Sequence, residues 1–206
     1  MYARSTIIRG NPQSIDDGIA YMRDESLPTL QEMDGFVGLS MLAERDTGRC
    51  IIATAWASEE AMNASADRVR PMRERVAEKL NGQAEMQGWE IAVLHREHPA
   101  GDGAAARVTW VRTAPDRMEE LLDGYRTTLM PRYQELPGFC SLSMLVDRQS
   151  GRAVGVTTFE SRDALDRSRE QTRSLREIFT PTVRAEIMEV AEMDLVLAHL
   201  RVPETV

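Results

Sequence analysis

The chain is written twice. Slid along itself by 103 residues, segment 36–42 (FVGLSML) falls on segment 139–145 (FCSLSML) with five identities in seven. The register persists on both sides: Arg4 meets Arg107, Thr6 meets Thr109, Pro28 meets Pro131, Gly35 meets Gly138, Thr54 meets Thr157, Ser58 meets Ser161 and Ala61 meets Ala164. His95 meets His199 after a slip of one residue. A period of about 100 residues is too long for a solenoid and suits a duplicated domain. Between the copies, EHPAGDGA at 97–104 has the composition of a connector. The sequence therefore divides into halves at 1–96 and 105–206 joined by that linker.

Each half reads by period. ARSTIIR and ARVTWVR are short β-branched or aromatic runs, a first strand. Segments 16–33 and 115–136 place Ile19 and Met22, or Leu121, Leu122, Tyr125 and Leu129, at helical spacing. A strand opens at Gly35-Phe36 and Gly138-Phe139. The turns ERDTGR and DRQSGR fold it back into CIIATAW or AVGVTTF, a hairpin. Ser58 and Ser161 stand at N-cap positions of a second helix running to about Leu80 or Phe179, and WEIAVLH or DLVLAHL closes the half as a last strand. The order β-α-β-β-α-β is the ferredoxin-like arrangement, an α+β fold. Such a four-stranded sheet, with both helices on one face, leaves its other face to be covered. The second copy is expected to cover it, giving an intrachain barrel, a pseudo-dimer within one chain.

Composition excludes several roles. The 33 acidic against 25 basic residues, a net charge of −8, argue against a grip on nucleic acid. No run approaches a membrane span and the N-terminus lacks a signal-peptide core, so a cytoplasmic protein with no membrane partner is expected. Cys50 and Cys140 are far apart in sequence with no CxxC, and the three histidines are scattered. No metal site or disulfide framework is signalled, and both cysteines are expected to be packed and reduced.

With these residues in view, each half resembles the antibiotic biosynthesis monooxygenase family of the dimeric α/β barrel superfamily. The segment Trp56-Ala57-Ser58-Glu59-Glu60-Ala61 is similar to the family's W-x-S-x-E-A signature, and the Gly35-Phe36 opening and the hairpin turn around Asp46 and Gly48 match as well. The second copy keeps Ser161 and Ala164 but has Phe159 in place of the tryptophan. The resemblance implies a cofactor-independent oxygenase, or a binder of a small hydrophobic or aromatic molecule. Its haem-degrading branch carries an asparagine on the first strand and a histidine on the second helix, and neither is matched here, which leaves haem as a minor alternative.

The candidates follow, each beside its plain reading. Trp56 stacks on a planar ligand or packs in the core. His95 and His199, at equivalent places on the last strands, are proton-transfer groups or hydrogen-bonded strand-end residues. Arg4 and Arg107 bind an anion, stabilise an enolate, or stand at a sheet edge in solvent, the last being preferred. Tyr21 and Met41, with Met22, Met33 and Met144, line an adaptable pocket or fill core gaps, and Tyr125 and Phe159 complete the substrate-contact set. The arginines of the second helices, Arg73 and Arg176 among them, are expected to form a solvated face laced with ion pairs. Two hypotheses result: an oxygenase with Trp56, His95 and His199 as catalytic residues and no cofactor, or a catalytically silent barrel that binds a ligand or serves assembly. The chain is expected to act as a monomeric pseudo-dimer or to associate as a further homodimer.

Overall fold

The computed structural model describes residues 1–201 and 203–205. The first copy runs β1 (Tyr2–Arg9), α1 (Ile15–Tyr21), α2 (Leu27–Gln31), β2 (Phe36–Glu44), β3 (Arg49–Trp56), α3 (Glu59–Ala64), α4 (Ala66–Lys79) and β4 (Gln83–Arg96). The second repeats it as β5 (Ala105–Arg112), α5 (Met118–Gly124), α6 (Met130–Gln134), β6 (Phe139–Asp147), β7 (Arg152–Phe159), α7 (Arg162–Arg167), α8 (Arg169–Thr182) and β8 (Glu186–Leu200). Register is duplicated with the sequence. Arg4 faces Thr54 across β1 and β3, and Arg107 faces Thr157 across β5 and β7. The strands hydrogen-bond in the order β1-β3-β2-β8-β5-β7-β6-β4 and close as a barrel, the α+β architecture expected of two ferredoxin-like copies.

The compact units are cut differently from the repeat. One comprises Met1–Trp89 with β8 from Met193 onward; the other comprises Glu90–Glu192 and the chain end from Pro203. In the first, the C-terminal part of β8 pairs with β2, Leu39 opposite His199. In the second, the C-terminal part of β4 pairs with β6, Leu142 opposite His95. Both last strands begin earlier than their apolar ends suggest, because 83–88 and 186–190 are mostly exposed and give no hydrophobic period.

Two helical details also depart from the sequence reading. Between α1 and α2 the chain makes a wider π-turn over 22–26, closed by Leu27 N–H donating to the Met22 carbonyl, and 125–129 repeats it with Met130 N–H on the Tyr125 carbonyl. Pro28 and Pro131 follow at once. Lacking an N–H for the carbonyls of Asp24 and Thr127 four residues back, they favour passage through one enlarged turn. The second helix of each copy is two helices, broken at Ser65 and Ser168.

The signature positions hold sheet to helix. Ser58 Oγ accepts from Ala61 N–H and Ser161 Oγ from Ala164 N–H, both at 3.1 Å. Gly35 (φ +75°) and Gly138 (φ +79°) sit beneath these alanines, where an added Cβ would lie 2.5 Å from Ala61 Cβ or 2.7 Å from Ala164 Cβ. Serine caps the helix, alanine faces the sheet, and only glycine fits below it. Core clusters lie between helices and sheet in each unit, around Ile8, Leu39, Met41, Trp56 and Leu80 in one and Leu121, Leu122, Leu142 and Phe159 in the other. Among the described residues, no helix is long and apolar enough to cross a membrane. Substituting Gly35→Ala is expected to cost about 2–4 kcal/mol by urea unfolding, from left-handed strain and the alanine clash together. Gly101→Ala, where an added Cβ meets nothing within 4 Å, should lie within about 0.5 kcal/mol of the parent.

Candidate functional site

Alternation along β1 turns Arg4, Thr6 and Ile8 towards the helices, and Arg107, Thr109 and Val111 do the same on β5. The preferred expectation of a solvent-facing edge arginine is therefore corrected. Arg4 is 5% exposed and Arg107 2%, because β1 and β5 are interior strands and the break after α3 or α7 offers polar partners to a charge in the core. Arg4 Nη1 donates to Ser65 Oγ at 3.1 Å and Nη2 to the Met62 carbonyl at 2.5 Å. Arg107 repeats both bonds, to Ser168 Oγ at 3.0 Å and the Leu165 carbonyl at 3.0 Å.

There the equivalence ends. Arg107 also donates to Thr172 Oγ1 at 2.7 Å, lies 5.8 Å above the Phe159 ring, and places Nε and Nη2 at 3.1 and 2.7 Å from Glu192 Oε1. Arg169 grips the same carboxylate at 2.6 Å. Burial alone would raise the Glu192 pKa, but the bonds from Arg169 and Arg107 outweigh it and hold the carboxyl below its ordinary range. In the first copy Val69 replaces Thr172, Ala66 replaces Arg169, and Gly88 and Trp89 occupy the level of Glu192. Among the described residues no carboxylate pairs with Arg4, and burial together with the nearby charge of Arg73 depresses its pKa.

Each unit holds a cavity of about 30 Å³ between helices and sheet, room for about two waters. The first is lined by Arg4, Thr6, Ser26, Thr54 and Arg73 among apolar walls that include Met22, Leu30, Ile52 and Met72. Ser26 Oγ is buried with no hydrogen-bond partner among the described residues. The second is lined at equivalent positions by Thr109, Tyr125, Leu129, Tyr133, Thr157 and Arg176, among others. The π-turns supply Met22 and Ser26 to one cavity and Tyr125 and Leu129 to the other. Arg73 and Arg176 thus leave the solvated helix face on which the charge pattern places them, whereas Arg173 stays on it beside Glu170 and Glu177.

The candidate catalytic residues do not converge. Trp56 is fully buried, donates from Nε1 to Thr54 Oγ1 at 3.0 Å, packs edge-on against Phe36 at 5.7 Å, and is not among the residues lining the first cavity. His95 stands with Gln134 at 2.9 Å and Glu97 at 3.3 Å, stacked on Phe139. His199 stands with Gln31 at 3.1 Å. Each histidine lies in the unit opposite to its own copy, and neither lines either of these two cavities. Of the substrate-contact set, Arg4 and Tyr125 line cavities, while Tyr21, Met41 and Phe159 are core and Arg107 is paired to Glu192. Burial raises the Tyr125 phenol, which donates to the Ser143 carbonyl at 3.3 Å. It also pushes Cys50 and Cys140 up to about 11, so neither thiol is a ready nucleophile at neutral pH. Sequence reasoning missed Ser26, Arg73 as a cavity residue, and Glu192. The Pro28 and Pro131 match was the available signal for the first.

No protein-family profile matches the chain. Over its whole length it is 47% identical to the uncharacterized protein Rv2558 of Mycobacterium tuberculosis, covering 88% of that protein, and 45% identical to Rv2557, covering 92%. Among solved structures, a Lactobacillus acidophilus protein provisionally designated a monooxygenase superposes with a TM-score of 0.70 at 10% identity, covering 97% of this chain and 96% of that one. An anthrone oxidase-like protein gives 0.65 at 14% identity over 97% and 93%. A Listeria monocytogenes ferredoxin-fold protein related to antibiotic biosynthesis monooxygenases gives 0.54 at 8% over 94% of each chain. The fold is thus of the antibiotic biosynthesis monooxygenase type.

Loss of the central carboxylate should be felt in stability. Glu192→Gln leaves Arg107 buried with only neutral partners, and unfolding in urea at pH 7 is expected to show a loss of about 3 kcal/mol. Because the folded carboxyl is depressed, its contribution is full above the unfolded glutamate pKa and is lost as pH falls through the folded one. The parent should therefore lose ground on the variant from roughly pH 4 downward.

Proposed function

We propose that this chain, which belongs to the family of the Mycobacterium tuberculosis proteins Rv2557 and Rv2558, binds a small hydrophobic or aromatic molecule in its helix–sheet cavities and is not an oxygenase built on Trp56. The observation that carries this reading is the recurrence of a cavity at the same place in both units, each bordered by a π-turn. Enlarged turns of this kind are costly and are found disproportionately at functional positions. The cavity walls suit an apolar guest. Met22 and Met72 can change rotamer to enlarge a space that at rest holds about two waters.

The oxygenase alternative draws its support from fold likeness and from a signature whose glycine, serine and alanine hold sheet to helix, and fold does not carry function. An aromatic sealed behind Thr54 has no face to offer a substrate, and His95 and His199, held by Gln134 and Glu97 or by Gln31, border neither cavity. Haem is a poorer fit still, since no histidine lines either cavity among the described residues.

The test pairs thermal unfolding with an oxygen electrode across neutral phenols, quinols and anthrone-like tricyclic compounds. A guest at a hundredfold excess over its Kd should raise Tm by about 5 °C without oxygen uptake. Leu30→Trp, which fills the first cavity, should remove that site's share. Oxygen uptake abolished by Trp56→Ala would reinstate the oxygenase, a Soret shift on haem addition would reinstate haem, and no shift with any compound would overturn the binding reading.

A further inference from the structure

The two copies solve the same electrostatic problem in different ways, and the difference points to a ligand. In the second unit the buried β5 arginine is neutralised from within: Glu192 reaches it at 2.7 Å and is itself held by Arg169. In the first unit Arg4 makes two hydrogen bonds, both to neutral oxygens, from a group with five N–H donors. Arg73, half-buried on the same cavity, has no hydrogen bond or ion pair among the described residues. Ser26 presents a buried hydroxyl with no partner to the same space. A buried guanidinium, a second one beside it and an idle hydroxyl around a space of about 30 Å³ form an arrangement that lacks only an anion.

We propose that the first unit's cavity is a specific site for a small monocarboxylate with an apolar body, its carboxylate taking the role that Glu192 plays in the second unit. A carboxylate suits the donors because a planar guanidinium pairs its two oxygens, and the hydroxyl of Ser26 can donate a further bond. The walls formed by Met22, Leu30, Ile52 and Val69 offer nothing to a multiply charged, fully hydrated anion, which would have to shed water against apolar surface. The first copy carries no side chain at the level of Glu192, where Gly88 stands. A Cβ at Gly88 would lie 3.4 Å from Met62 Cε, on the residue whose carbonyl holds Arg4, so a side chain built there would extend into the region that Glu192 occupies in its own unit. The second cavity differs, with two phenols, Tyr125 and Tyr133, and one cation, Arg176, whose Nη1 has no partner among the described residues. Two cations against one make the first site the tight one. This inference rests on the cavity reading above and adds the charge of the guest and the unit that takes it.

The experiment is calorimetric titration of the full chain with a series from acetate to benzoate, each acid paired with its primary amide as a neutral isostere. The expected result is one tight site per chain for the acids and binding roughly 10- to 100-fold weaker for the amides. Arg4→Met and Arg73→Met should each weaken the acids by a similar factor, and Arg4→Met should keep or raise Tm, since it removes an uncompensated buried charge. Gly88→Glu should supply the missing carboxylate internally and abolish acid binding while raising Tm. Acids and amides bound equally, with Arg4→Met and Arg73→Met indifferent, would overturn the anion site and leave the apolar cavity reading intact. Two equal acid sites per chain would overturn the assignment to the first unit. Inorganic phosphate bound more tightly than any monocarboxylate would overturn the ligand class, and failure of acids, amides and neutral aromatics alike would overturn both readings.

Discussion

In each unit one arginine rising from the first strand meets the broken helices above the sheet, within the apolar core that holds them there. A guanidinium inside a protein core is tolerable only where polar atoms meet it. Here they come from an interruption between two helices: the carbonyl of Met62 with the hydroxyl of Ser65, or of Leu165 with Ser168. The break would look like a defect in an isolated helix. In the folded chain it is the donor-acceptor socket that sets the distance from helices to sheet. The glycine beneath the alanine of the capped turn fixes the same spacing at the other end of the short helix.

After duplication that socket was free to diverge in its third partner. The second copy has Glu192, Arg169 and Thr172 and forms a closed polar network, which satisfies its members and holds one geometry. The first copy has the cation and not the carboxylate. A chain selected for stability alone has no reason to retain Arg4, since an apolar residue of similar volume fills such a place at lower cost.

The sequence made the architecture legible because duplication doubles every local signal. The caps at Ser58 and Ser161, the glycines at Gly35 and Gly138 and the hairpin turns each occur at matching offsets. Features that depend on distant segments were hidden. Arg107 and Glu192 are 85 positions apart, and nothing local marks them as partners. A strand carrying alternating arginine and threonine looks like a solvated edge until the broken helix above it is known. The π-turns were half visible, since Pro28 and Pro131 announce a disturbance but not its form. Trp56 and the histidines drew attention as chemically able residues, yet ability is decided by access. Core packing removed access from the first, and the crossing of the last strands carried the other two away from their own copies.

That crossing has a consequence for how the protein comes into being. Chains generally emerge and fold from the N-terminus, domain by domain. Here the unit that contains β1 and β2 is completed by the part of β8 from Met193 onward, so β2 waits with an unpaired edge until most of the second copy has been made. An open edge of that length is an invitation to pair wrongly, with another nascent chain above all. The first unit can therefore close only once the residues from Met193 onward have left the ribosome, well after the end of the first copy.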